Sequence, residues 1–145
     1  MNLNEWAIQW DIPRQAIFDL KIRMGIAQND GMMKYELTTE AGAQNNVRLL
    51  ASQAGARLWR NNVGVLKDER GVPVRYGLAN ESSKINSVLK SSDLVGISAD
   101  GQFMAREVKA PGWYYTGTKR ESAQLNFIEL INKLGGDAKF TTGDL

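Results

Sequence analysis

Neither cysteine nor histidine occurs anywhere in the 145 residues. A chain without thiols has no disulfide to staple it and no thiolate zinc centre to organise it, so its fold must rest on packing alone. With 43% hydrophobic and 8% aromatic residues, it can build one compact domain around a real core. The same two absences narrow the chemistry. Ser-His-Asp hydrolysis, histidine-based nucleases, cysteine nucleophiles and most zinc hydrolases all lose an essential group. Acid-base or metal chemistry has to come from carboxylates and lysine.

Charge is small in sum and uneven in place. The net charge is +2, yet residues 41–120 hold twelve Lys/Arg against six Asp/Glu, while residues 1–40 and 121–145 are each at −2. A basic middle suits a polyanion, although a solvated surface gives the same pattern. The first ten residues carry Asn2, Asn4 and Glu5 where a leader has a basic flank and an apolar run, and no apolar stretch reaches membrane-spanning length. These features predict a soluble, cytoplasmic protein with no membrane partner.

Residues 3–24 read as two short helices divided at Asp11-Ile12-Pro13, with the proline at a first helical position. In the second, Ala16, Ile17, Leu20 and Met24 share a face; Gly25 stops it, and Ala27 to Gly31 reads as a linker. The predicted organisation is an N-terminal helical arm and linker over 1–31 and a main domain over 32–145. The arm fits a DNA-reading hairpin, an oligomerisation arm or a lid, and its acidic balance speaks against the first.

In the main domain a helix is expected from Thr38 or Thr39 to Ala54, with Glu40, Gln44, Val47, Ala51 and Ala54 along one face. A strand follows over Arg57–Val65, a turn over Lys67–Gly71, a return strand over Val72–Leu78 and a polar loop over Asn80–Lys84. Two further strands, Asp93–Ser98 and Gln102–Lys109, flank Ala99-Asp100-Gly101. A helix over Lys119–Leu134 starts with a Thr118/Glu121 capping box, and a last strand covers Ala138–Thr142. The fold class is α/β, a mixed sheet flanked by helices.

Glu107-Val108-Lys109 is weak evidence alone, since eight Glu and nine Lys in this length make such a tripeptide common by chance. Its setting strengthens it. Ala99-Asp100-Gly101 matches a three-residue hairpin loop with glycine at the positive-φ position. That loop pairs Ser98 with Gln102, and counting back along both strands brings Asp93 opposite Glu107. Lys109 lies two residues farther on the same face, so two carboxylates and an ammonium converge. Facing carboxylates repel unless a cation lies between them, and all-oxygen ligands suit Mg²⁺, with Mn²⁺ as a substitute. A two-residue loop would slip the register and put Val108 opposite Asp93. The competing reading has Asp93 capping its strand while Glu107 and Lys109 are solvated; apolar runs on both faces of these strands oppose it. Glu40 and Gln124, each leading a helix face, are two more candidates, and each alone reads equally as the rim of a core.

Taken together, Glu40-x-x-x-Gln44, Leu58 to Gly64, Arg75 to Leu78, Lys90 to Gly96, Glu107 to Gly112 and Gln124-Leu125 form an ordered series. It resembles the PD-(D/E)xK nuclease superfamily, and more narrowly the virus-type replication-repair nuclease family, VRR-NUC, in its stand-alone phage-type form. The resemblance spans residues 36–142, and one departure is Ser92 where the superfamily carries proline. It implies a restriction-endonuclease-like domain that hydrolyses phosphodiester bonds in DNA. Asp93, Glu107 and Glu40, with the carbonyl of Val108, would be the metal ligands, Lys109 the catalytic lysine, and Gln124 would help orient Lys109 or the phosphate. Arg48, Arg60, Arg75, Lys90, Lys119 and Arg120 are candidate phosphate contacts. The phage-type members further imply a homodimer that cuts four-way (Holliday) junctions in the host cytoplasm, with Trp6, Trp10, Ile17 and Leu20 as interface area. Two alternatives stand beside this reading, a monomeric flap or single-strand nuclease and a non-cleaving nucleic-acid-binding or interaction module.

Overall fold

The computed structural model describes residues 3–13, 16, 17, 20 and 38–145. The chain separates into two compact units, Met1–Tyr35 and Glu36–Leu145. Among the described residues no helix is long and apolar enough to cross a membrane.

In the first unit, helix α1 (Leu3–Gln9) gives way to a turn in which Asp11 has a positive φ of 50°. The carbonyl of Pro13 accepts hydrogen bonds from the N–H groups of Ala16 and Ile17, so the chain re-enters helix at the proline, as its fixed φ favours. The face expected for Ala16, Ile17 and Leu20 is divided: Ile17 is buried, whereas Ala16 and Leu20 are exposed. Ile17 therefore offers no free apolar area, while Trp6 and Trp10 do. Met24, Gly25 and the linker lie outside the described residues.

The second unit runs α2 (Glu40–Gln53), β1 (Arg57–Arg60), β2 (Gly64–Lys67), β3 (Pro73–Tyr76), α3 (Ser83–Val88), β4 (Leu94–Ile97), β5 (Phe103–Val108), α4 (Lys119–Lys133) and β6 (Asp137–Thr141). Four strands form one mixed sheet in the order β1-β4-β5-β6; the first three are antiparallel to their neighbours, and β6 is parallel to β5. A parallel neighbour needs a crossover, and α4 supplies it. Strands β2 and β3 make a separate two-stranded ribbon.

Two sequence expectations are corrected here. Arg57–Val65 is not one strand, because Asn61 ends β1: its amide nitrogen donates to Ser91 Oγ and to the Ser92 carbonyl, and its N–H donates to the carbonyl of Asp93. The chain then leaves the sheet for the ribbon. The polar loop continues into α3, a helix with no buried residue that starts where Ser82 Oγ accepts from the N–H of Ile85. Without an apolar stripe it had no periodic signal.

Alternation along β5 sets up the site. Met104 and Val108 join Ala43, Val47, Ala51, Leu58 and Leu94 in a core beneath α2, whereas Ala105 packs with Phe127, Ile128 and Ala138 beneath α4. Each fully buried aliphatic such as Val47, Leu94 or Val108 contributes roughly 1.5–3 kcal/mol. The sheet is thus covered on both faces. Glu107, two residues on from Ala105, points to the α4 side. Arg106 points the other way, is buried and forms an ion pair of 2.7 Å with Asp137.

Candidate active site

The hairpin between β4 and β5 has the register that its loop predicts. Gly101 takes a φ of +87°, the N–H of Ser98 donates to the carbonyl of Gln102, and Leu94 lies opposite Arg106. One step outward on the same count, Asp93 faces Glu107. Asp93 reaches across the strand: its Oδ2 accepts from the N–H of Val108 at 2.9 Å. Val108 therefore touches the acid through its amide, while its side chain is fully buried in the α2 core.

Glu107 sits in a closed set of three side chains. Gln124 Nε2 donates to Glu107 Oε1 at 2.6 Å, Lys109 Nζ donates to the same oxygen at 3.2 Å, and Lys109 Nζ also donates to Gln124 Oε1 at 3.0 Å. Gln124 arrives there because it shares the buried face of α4 with Ala123, Phe127 and Ile128. Only 4% of the Glu107 side chain is exposed. Burial, and after it the nearby Asp93 carboxylate, push the acid up from 4.5 to about 7, against the opposing pull of Lys109.

Aromatic rings wall in the ammonium. Lys109 Nζ lies 5.8 Å from the centre of the Trp113 ring and 5.9 Å from that of Phe140, within cation–π range. The two rings pack at 4.9 Å in a tilted pair. Glu121 anchors the Trp113 loop, since its carboxylate accepts from Trp113 Nε1, Thr116 Oγ1 and the N–H of Thr118. The Thr118 N–H is the main reason this acid is lowered to about 2. The predicted capping box is present and also fastens the loop beside Lys109.

A cavity of about 200 Å³ opens over the acids, lined by Asp93, Glu107 and Gln124 together with Arg75, Lys90 and Arg120. Half of the predicted phosphate contacts therefore meet at the site. The other half do not line it: Arg48 Nε donates to the carbonyl of Leu58, and Arg60 and Lys119 are exposed elsewhere. Glu40 is also not brought in. It is the exposed first residue of α2, and no three acidic side chains converge among the described residues. Beginning its helix next to the Thr39 cap, it serves the N-terminal end of the dipole.

The donor set still fits a hard divalent cation. Mg²⁺ is commonly held by one or two carboxylates, with water and substrate phosphate completing its shell. Asp93 and Glu107 could provide those two; Glu107 is raised first by burial and then by the Asp93 carboxylate, a repulsion that a cation between them would offset.

Sequence reasoning missed Asn80 and Asn86, which line the cavity, and the rings around Lys109. The three consecutive aromatics Trp113-Tyr114-Tyr115, four residues beyond Lys109, were a usable signal for the rings. For the asparagines there was none. Ser92, beside Asp93, is 1% exposed, and its hydroxyl has no hydrogen-bond partner among the described residues. No protein-family model, curated protein or solved structure matches the chain.

Proposed function

We propose that this chain is a magnesium-dependent endonuclease that hydrolyses phosphodiester bonds in DNA, of the VRR-NUC kind within the PD-(D/E)xK superfamily. The observation that carries the reading is the meeting of Asp93, Glu107, Lys109 and Gln124 at one sheet end, beside a cavity lined by three cations. Asp93 and Glu107 hold the ion, which when bound offsets phosphate charge and makes water a better nucleophile at neutral pH. Lys109 keeps a proton at Nζ and presents a donor to the attacking water or to the charge that develops on the phosphate. Gln124 fixes the direction of that ammonium through its Oε1. The Trp113 and Phe140 rings lie within cation–π range of that ammonium. No covalent intermediate is required.

The test is cleavage of labelled DNA with and without Mg²⁺. Asp93→Asn and Glu107→Gln each lower the rate by at least roughly 10²-fold while the fold and DNA binding remain; Lys109→Ala also stops hydrolysis but keeps the metal. Wild-type rates in either carboxylate variant, or full activity in excess EDTA, would remove the proposed site.

A finer proposal follows from the family resemblance: a two-fold dimer that makes paired nicks in four-way junctions. One carboxylate pair cuts one strand, and a dimer supplies two such pairs at a fixed separation. Exposed Trp6 and Trp10 offer apolar area for that contact. Sedimentation at micromolar concentration, alongside assays on junctions, flaps and plain duplex, decides it. A monomer that nicks flaps and leaves junctions whole contradicts it.

A further inference from the structure

We infer that the cavity contains a phosphate subsite distinct from the carboxylate pair, formed by Arg75, Lys90 and Arg120, with Asn80 and Asn86 as positioning residues. The class of ligand rests on the nuclease reading; the geometry stands without it.

Two of the three cations are fastened. Arg75 Nε donates to the backbone carbonyl of Asn80 at 2.9 Å, and one terminal nitrogen donates to Asn80 Oδ1 at 2.8 Å. Asn80 is 3% exposed, and its amide nitrogen donates to the carbonyls of Gly64 and Tyr76, both at 2.9 Å. Four hydrogen bonds thus tie the guanidinium to the β2–β3 ribbon. Lys90 is held at both ends: its N–H donates to the carbonyl of Ala123, and its Nζ donates to Asn86 Oδ1 at 2.5 Å. Long cationic side chains lose rotamer freedom on being fixed, so cations already fixed bind an anion at a lower entropic cost.

Among the described residues, the ion pairs are Arg70–Asp68, Arg106–Asp137 and Lys109–Glu107, and none involves these three cations. Lys90 is held below the ordinary lysine range, first by burial and then by the charges of Arg120 and Arg75. The charges that weigh on Lys90 around an open cavity are relieved by a group carrying several charged oxygens. Two planar guanidinium groups and one ammonium match a phosphate, which accepts from several directions at once. The subsite lies beside Asp93 and Glu107, so in the absence of metal those acids oppose the anion. Neutralising Asp93 should therefore tighten phosphate binding even as it removes metal affinity.

The experiment is calorimetric titration of inorganic phosphate into the full chain in EDTA, at constant ionic strength with chloride as the balancing anion. Saturable binding at one site is expected. Arg75→Ala and Lys90→Ala each weaken it by roughly ten-fold or more, and Asp93→Asn strengthens it. Asn86→Ala weakens it by a smaller factor at unchanged melting temperature. Asn86→Asp keeps an oxygen on Lys90 but adds a negative charge to the cavity lining, and weakens binding further. No saturable binding by the wild type, or binding indifferent to Lys90→Ala and Arg75→Ala, overturns the subsite. Phosphate binding as described, with no Mg²⁺-dependent cleavage of DNA, would remove the nuclease reading and leave the subsite intact. Cleavage at unchanged KM in both cation variants, without phosphate binding, would do the reverse.

Discussion

Glu107 is the residue on which fold and chemistry pull in opposite directions. A carboxylate with 4% of its side chain exposed, facing a second acid, is destabilising when ionised, and the chain retains it with one amide and one ammonium. In the metal-free protein its folded value, about 7, lies above the ordinary 4.5, so the native state binds the proton more tightly than the unfolded chain does. The stability this contributes is present at acid pH and is lost as pH rises from about 4.5 through about 7. Melting curves in EDTA should therefore show wild type losing stability relative to Glu107→Gln across that window. If Glu107 holds Mg²⁺ as proposed, the ion requires the ionised acid, so the stabilisation by Mg²⁺ should grow over the same window. A wild-type-minus-variant difference that does not change with pH would mean that Glu107 is not held as described. What the sequence disclosed at this scale was that Asp93, Glu107, Lys109 and Gln124 come together. It did not disclose that Glu40 stays outside, because a carboxylate at a helix start reads the same whether it caps the dipole or reaches a metal.

Among the elements, the β4–β5 hairpin was the most legible, because one glycine in a three-residue loop fixes the pairing of every residue behind it. Both long helices were readable from caps and apolar spacing: Thr39 and Thr118 begin them, and Gly55 and Gly135, with φ of +77° and +91°, follow their ends. The break after β1 and the short helix α3 were not readable, since side-chain bonds from Asn61 and an exposed turn leave no period in the sequence. Gly96 marks a constraint between elements. A Cβ there would lie 1.8 Å from the carbonyl oxygen of Arg57, which is backbone of the neighbouring strand and cannot rotate away. Gly96→Ala should therefore force β1 and β4 apart and cost about 3 kcal/mol, read as a lower urea midpoint. Gly101→Ala, where nothing lies within 4 Å, carries only the smaller penalty of a positive φ. Equal midpoints for the two variants would refute the close strand contact.

For the whole molecule, a net charge of +2 is too small to draw a polyanion, so any attraction to DNA must come from where the charges sit. Residues 41–120 contribute the excess, and folding brings Arg75 from a strand, Lys90 from a loop and Arg120 from a helix to one cavity. That gathering was invisible in the sequence, where these cations looked no different from Arg48, Arg60 and Lys119. It leads to a quantitative expectation. If the proposed nuclease function holds, then with Ca²⁺ in place of Mg²⁺ to prevent cutting, the logarithm of DNA affinity should fall against the logarithm of salt with a slope near −3, since each phosphate contact contributes about −0.9. Replacing any one of the three by alanine should make the slope shallower by about 1 and weaken all sequences alike, because phosphate contacts position DNA without reading it. Lys139 is exposed on β6 and does not line the cavity, so it separates local from global charge. Lys139→Glu lowers the net charge by two, from +2 to zero, yet should leave the slope unchanged. If Lys139→Glu flattens the slope as much as Lys90→Ala, DNA is held by the diffuse field of the domain, and the cavity cations are not its phosphate contacts.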